Sequence, residues 1–162
     1  MKIFLKIERM MSQIKRQILK DEEIRKLLYY GTPDALEQSS VPTQEEIIDF
    51  IHLSNYVDRK QNENQNAFIV IYVTGVDIAD EIAETQFQIA AYAWENTSVL
   101  NNDKIRTLRL IYRITEILEG KNLNFTGKIH CYGATIEGFD NGNIVGYTST
   151  WGVTDDDGFN EL

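Results

Sequence analysis

The chain has 162 residues, 43% of them apolar, and a formal net charge of −9. That length and composition suit one folded domain with a single core and argue against a disordered chain. A single cysteine, Cys131, excludes an internal disulfide framework, and no apolar run of about 18 residues offers a transmembrane helix.

The charge is unevenly spread. Residues 1–30 carry eight basic groups against four acidic ones, which leaves 8 basic and 21 acidic groups, a net of −13, for the remaining 132 residues. A body of that sign gains no counterion release from phosphates, so it repels nucleic acid rather than gripping it. Its acidic surface is either simply solvated, or suited to passing a polyanion or meeting a basic partner.

In chain order, Met1–Lys6 is too short and too charged for a secretory signal. Residues 1–11 read as a disordered or non-native extension ahead of the methionines Met10 and Met11, residues 12–153 as one domain, and 154–162 as an acidic tail. Ser12–Tyr30 reads as helix in two pieces. Ile14, Ile18 and Leu19 mark one face, Ile24, Leu27 and Leu28 mark the next, and Asp21 caps the second piece. Gly31-Thr32-Pro33-Asp34 ends it. Thr43-Gln44-Glu45-Glu46 has the form of a capping box before Ile47, Ile48, Phe50 and Ile51, predicting a helix to about His52. Asp58 to Asn66 is polar and aperiodic, an exposed loop. Phe68 to Val73 is a near-continuous apolar run, as in a strand covered on both faces. Gly75–Glu84 holds Asp77, Asp80, Glu81 and Glu84 and reads as a second exposed loop, since these charges would repel on one helix face. A strand ending at Trp94 follows.

Lys104–Glu119 has a helical period. Ile105, Leu108, Ile111, Tyr112, Ile114 and Leu118 form a wide apolar arc, and Arg106, Arg109, Arg113 and Glu116 a narrow polar strip that the arc would turn outward. A closing hairpin is set by Asp140-Asn141-Gly142-Asn143. With Asn141-Gly142 as a two-residue turn, Val145 faces Gly138, Tyr147 faces Ile136, Ser149 faces Ala134 and Trp151 faces Tyr132, all on the core side. The opposite face would carry Cys131, Gly133, Thr135, Glu137, Thr148 and Thr150. Together these elements predict an α+β fold: an antiparallel or mixed sheet packed on a long amphipathic helix, with helices at the N-terminus.

Nothing in this pattern resembles a catalytic centre. His52 and His130 are the only histidines, and His130 and Cys131, adjacent on a strand, point to opposite faces and cannot serve one metal. Asp155-Asp156-Asp157-Gly158 lacks the alternating ligands and distal glutamate of a calcium loop. No cofactor, metal site or enzymatic activity is expected. The arginine strip Arg106, Arg109, Arg113 is the feature best suited to a subunit interface, because guanidinium forks match carboxylates that a second acidic copy would supply. Asp77, Asp80, Glu81 and Glu84 are candidates for an acidic lumen or partner surface.

The segment Ile18-Leu19-Lys20-Asp21-Glu22-Glu23-Ile24-Arg25-Lys26-Leu27-Leu28-Tyr29-Tyr30, the strand ending in Trp94, the helical stretch Arg109-Leu110-Ile111-Tyr112-Arg113-Ile114 and the hairpin with Gly146-Tyr147 resemble the tail-completion proteins of tailed bacteriophages, above all the tail terminators. The resemblance spans about two thirds of the chain and rests on pattern, with no sharp motif. It implies an α+β subunit closing into a homo-oligomeric ring, usually of six, that caps the tail tube and meets the head connector in the virion. DNA would slide through an acidic lumen without specific binding, and no membrane is involved. The polar insert Asp58–Asn66 departs from the simplest members. The alternatives are a head-completion or stopper protein of the same connector, and an acidic binding module such as a DNA-mimic inhibitor or an immunity protein.

Overall fold

Two helices open the chain. In a computed structural model, which describes residues 2–41, 47–54, 66–79, 82–123, 127–139 and 142–155, α1 spans Lys2–Lys20 and α2 spans Glu22–Tyr29. Asp21 separates them, and its side chain accepts a 2.9 Å hydrogen bond from the Ile24 amide, the cap expected from the sequence. The expected boundary at residue 12 is corrected. The helix already runs from Lys2, and Met10 and Met11 are buried. Met10, Ile14 and Ile18 lie four residues apart, so the same apolar stripe continues back through the residues set aside as an extension.

The predicted helix before His52 is also corrected. Ile48–Phe50 is a single 3₁₀ turn, and Ile51–Leu53 is strand β1. The capping box at residues 43–46 and residues 58–65 of the polar insert lie outside the described residues. β2 spans Ala67–Ala79 and β3 spans Ile82–Trp94. The acidic segment expected as a loop is therefore the far end of a long antiparallel pair, with Asp77 opposite Glu84. Alternation of Val76, Ile78 and Ile82 with polar neighbours supplies the period-2 pattern of a strand, and cross-strand pairing outweighs the like-charge repulsion. Asp80 and Glu81 lie outside the described residues.

The short pair β4 (Val99–Leu100) and β5 (Lys104–Ile105) leads into α3, Arg106–Leu118, and the chain closes with β6 (Ile129–Phe139) and β7 (Ile144–Asp155). The main sheet has the order β1-β2-β3-β7-β6, with β1 parallel to β2 and every other pair antiparallel. The fold class is the expected α+β. β7 takes in Thr154 and Asp155, where the tail was expected to begin.

The final hairpin keeps its predicted register from Phe139↔Ile144 to Ala134↔Ser149, and Gly142 has the positive φ (89°) that the turn needs. Asn141 lies outside the described residues. Farther along, a bulge intervenes between Cys131 and Gly133, so Trp151 pairs with Cys131 and not with Tyr132. One extra residue exchanges the faces. Cys131 packs toward the core, while Tyr132 is 60% exposed and His130, expected on the core side, is exposed opposite Gly152. Gly133 carries the strain of the bulge with φ near 148°.

The three described α-helices lie on one face of the sheet. Their apolar residues meet Ile69, Ile71, Phe87, Ile89, Ala91, Trp151 and Val153 in the main core. Trp151 is fully buried, stacks on Phe87 at 6.2 Å and donates its indole N–H to Ser149 Oγ (2.7 Å), which in turn donates to the Ile89 carbonyl (2.9 Å). On the other face Phe68, Val70, Ala90, Tyr92 and Ile144 make a smaller cluster, so the apolar run of β2 is indeed covered on both sides. Thr148, expected on an open face, is buried beside it.

Candidate assembly surface

The arginine strip of α3 does not face outward. Arg106 is fully buried and donates from Nε to the Thr97 carbonyl (2.6 Å), from Nη1 to those of Leu27 (2.6 Å) and Tyr30 (2.7 Å), and from Nη2 to that of Thr32 (2.8 Å). Four carbonyls, three of them at the C-terminal end of α2 and just beyond, thus close around one planar fork. A helix C-terminus strands such acceptors and concentrates negative dipole there, which is the site a guanidinium fits. Burial pulls its pKa down to about 10, which still leaves it charged at neutral pH.

Arg109 and Arg113 bind the opposite end of α2. Arg109 pairs with Glu23, and Arg113 pairs with Asp21, with Glu23 (3.5 Å) and with Glu116 (2.5 Å). Hydrogen bonding to Glu23 raises the pKa of Arg109, and hydrogen bonding to Asp21 raises that of Arg113. The three arginines therefore clamp α2 along α3, and their carboxylate partners come from the same chain. The sequence expectation of a cationic face awaiting a second copy is corrected. Helical period alone shows that the arginines share a strip, but not that α2 packs against that strip.

Once the arginines turn toward α2, another flank of α3 is left bare. Leu110, Ile111, Ile114 and Leu118 enter the core, whereas Ile105, Leu108 and Tyr112, expected within the apolar arc, are 42%, 45% and 50% exposed. Val99, paired with Ile105, extends the same strip.

The sheet face opposite the helices is the more distinctive surface. The four long strands β2, β3, β6 and β7 contain no lysine or arginine at all. Strand alternation and the bulges place Asp77, Glu84, Gln86, Gln88, Tyr132, Glu137 and Thr150 on this face. Their polar groups are tied to one another across strands. The Tyr72 hydroxyl bonds Gln88, Gln88 donates to Thr150 Oγ1 (3.3 Å), Tyr92 donates to Glu137 (2.8 Å) and Tyr132 to Glu84 (3.3 Å). Burial, reinforced by the Glu137 bond, raises the pKa of Tyr92 and keeps it a donor. Two of these rings lie over glycines: a Cβ on Gly146 would collide with Tyr92, and one on Gly152 with Tyr132. Small residues on β7 thereby let the tyrosines lie flat and hold their hydroxyls toward acidic side chains.

Of the acidic quartet named from sequence, Asp77 and Glu84 stand opposite each other on this face. Glu137 belongs with them and was missed as a site residue. The signal available in the sequence was the complete absence of cations from four strands. His130 bonds Glu119 through Nδ1 (3.0 Å), and the Cys131 amide donates to the same carboxylate (2.7 Å), which draws the Glu119 pKa down. Among the described residues no three His, Cys, Asp or Glu side chains converge as a metal site, and no helix is long and apolar enough to cross a membrane.

Comparison with known families places the chain. The YomW family model matches residues 21–150, most of the chain and nearly all of this sheet, and the protein belongs to that family, a phage-derived group of Bacillus phage SPbeta-like origin. No curated protein matches it.

Proposed function

We propose that this phage protein is a structural component of the virion neck: a tail terminator, acting as a homo-oligomeric ring of six copies, that caps the tail tube and joins it to the head connector. The observation that carries the reading is the cation-free, acidic face of the sheet, set opposite a layer of helices. A ring built with the helices outward, where the circumference is larger, turns Asp77, Glu84 and Glu137 toward the lumen. Like charge and the lack of lysine or arginine give DNA no phosphate contacts there, so a polyanion slides through without being held. The role is mechanical, with no chemistry and no cofactor, and the protein works in the virion after assembly in the bacterial host cytoplasm.

The test is genetic and visual. A nonsense allele in the phage that encodes this protein should yield tails of irregular length and heads that remain unjoined, as seen by negative-stain electron microscopy. Virions of normal tail length, joined to heads, would overturn the reading. Tails of normal length that fail only to retain DNA in the head would favour a stopper role in the same connector.

A further inference from the structure

We infer that copies of this chain join through their sheet edges, with β6 of one copy pairing antiparallel to the far end of β2 of the next. The inference rests on the ring reading above and specifies its contact. Ile129 and Cys131 at the start of β6 already have partners on their outer side: Ile129 exchanges hydrogen bonds with Lys121 (2.9 Å) and Gly120 (2.8 Å), and the Cys131 amide goes to Glu119. From Gly133 onward no main-chain partner stands on that side among the described residues, leaving a seven-residue edge, Gly133–Phe139. The described side chains of this stretch are exposed, Ile136 to 73%. Natural edges of this length are ordinarily blunted by lysine, proline, other charges or a bulge. This one has no lysine or proline; its bulge falls before Gly133, and Glu137 is the one acidic residue in the stretch.

Among the described residues, the same sheet has a second unpaired edge on its other side. β1 pairs only with Ile69–Ile71, and among the described residues no strand continues alongside β2 past that point. Beyond a bulge between Val73 and Gly75, Gly75–Ala79 pair with β3 in unbroken register. Strand direction alternates from β2 through β3 and β7 to β6, so β6 beside the β2 of an identically oriented neighbour is antiparallel, the better-bonded arrangement. Two different edges that fit each other make a head-to-tail contact, the kind that closes into rings.

The two edges lie at opposite ends of the sheet. Through β7, Gly133–Phe139 is level with Gln88–Trp94 of β3, while Gly75–Ala79 is level with Ile82–Gln86. Bringing them side by side slides one copy along the strands by about six to eight residues, roughly 20–26 Å at about 3.3 Å each. Four strand spacings of about 4.8 Å make roughly 19 Å across. The strands then incline by about 46–54° to the ring axis, steeper than the 35–45° typical of closed barrels.

Hydrogen exchange with mass spectrometry on the purified full-length chain, from micromolar to millimolar subunit concentration, tests the pairing. Assembly should slow the amides of residues 133–139 and 75–79 together by tenfold or more. Slowing at 133–139 alone would show a two-fold β6–β6 contact and overturn the proposal, as would a chain that stays monomeric throughout. Closed rings with both edges unprotected would overturn the pairing and leave the ring reading standing. Both edges protected in open fibres would uphold the pairing and refute the terminator role. Proline at Thr135 or at Ile136 supplies an independent check. Neighbouring amides point to opposite sides, so one variant keeps the fold, and that variant should weaken association at least tenfold. Unchanged association by the folded variant would overturn the pairing.

Discussion

Replacing Arg106 measures how far this domain depends on one buried cation. Arg106→Ala strips donors from four carbonyls, those of Leu27, Tyr30, Thr32 and Thr97, and leaves a hole where a fully buried side chain stood. A stranded buried acceptor costs about 1–3 kcal/mol, and the bond to Leu27 is wholly interior while the others sit nearer the margin, where water can enter. Relief of the guanidinium's own desolvation offsets part of the loss. The net expectation is a destabilisation of about 3–5 kcal/mol, a large share of the roughly 5–15 kcal/mol that holds a domain folded. Arg106→Lys keeps the charge but loses the planar fork, reaching fewer carbonyls, and should recover about half of that loss. Urea unfolding at pH 7, followed by the fluorescence of Trp94 and Trp151, reads both variants. A loss below about 1 kcal/mol for Arg106→Ala, or a lysine variant as stable as wild type, would show that α2 is not held by this side chain.

Arg113→Ala and Arg109→Ala break partly exposed pairs with Asp21 and Glu23, so each should cost only about 1 kcal/mol in the same urea titration, and a double-mutant cycle of Arg113 with Asp21 should return a coupling of about 0.5–1 kcal/mol. Trp151→Ala should cost about 3–5 kcal/mol and Tyr132→Ala less than 1, because the bulge buries the first and exposes the second; equal losses would mean that the bulge is absent. Glu22, Glu116 and Glu119 have pKa values drawn below the usual 4.5, by hydrogen bonds from Ser40, from Tyr112 and from the Cys131 amide respectively. A depressed carboxylate contributes stability that is present above its unfolded pKa and is lost as pH falls through the folded one, so the urea midpoint should decline as pH drops below 4.5. Glu119→Gln should flatten that decline, and an unchanged acid slope would remove Glu119 from the account.

Much of the architecture was legible in the chain alone, because it rests on short-range patterns. The spacing of Ile14, Ile18, Leu27 and Leu28 with Asp21 between the two stripes determines two helices, the second capped by Asp21, and Asn141-Gly142 sets the hairpin register for the residues nearest the turn. The same stripe reaches back through Met10, so the helix from Lys2 is also written in the pattern of its apolar residues. The acidic end of β2 and β3 was legible only in part: its alternation marks strand, but its charges mark loop, and although Asp77 pairs with Glu84 within one local hairpin, the β7 strand that flanks Glu84 at Thr154 comes from far along the chain. What only the tertiary structure decided is which way each surface turns. A helical period shows that Arg106, Arg109 and Arg113 share a strip, yet solvent and α2 are both consistent with it until α2 is packed in place. That packing buries Arg106 and exposes Leu108 and Tyr112. The bulge at Tyr132 works the same way, since a single inserted residue exchanges the faces of Cys131 and His130 without leaving a mark on local propensity. Local free energies choose helix or strand residue by residue, whereas the direction a face points is settled by which distant surface covers it.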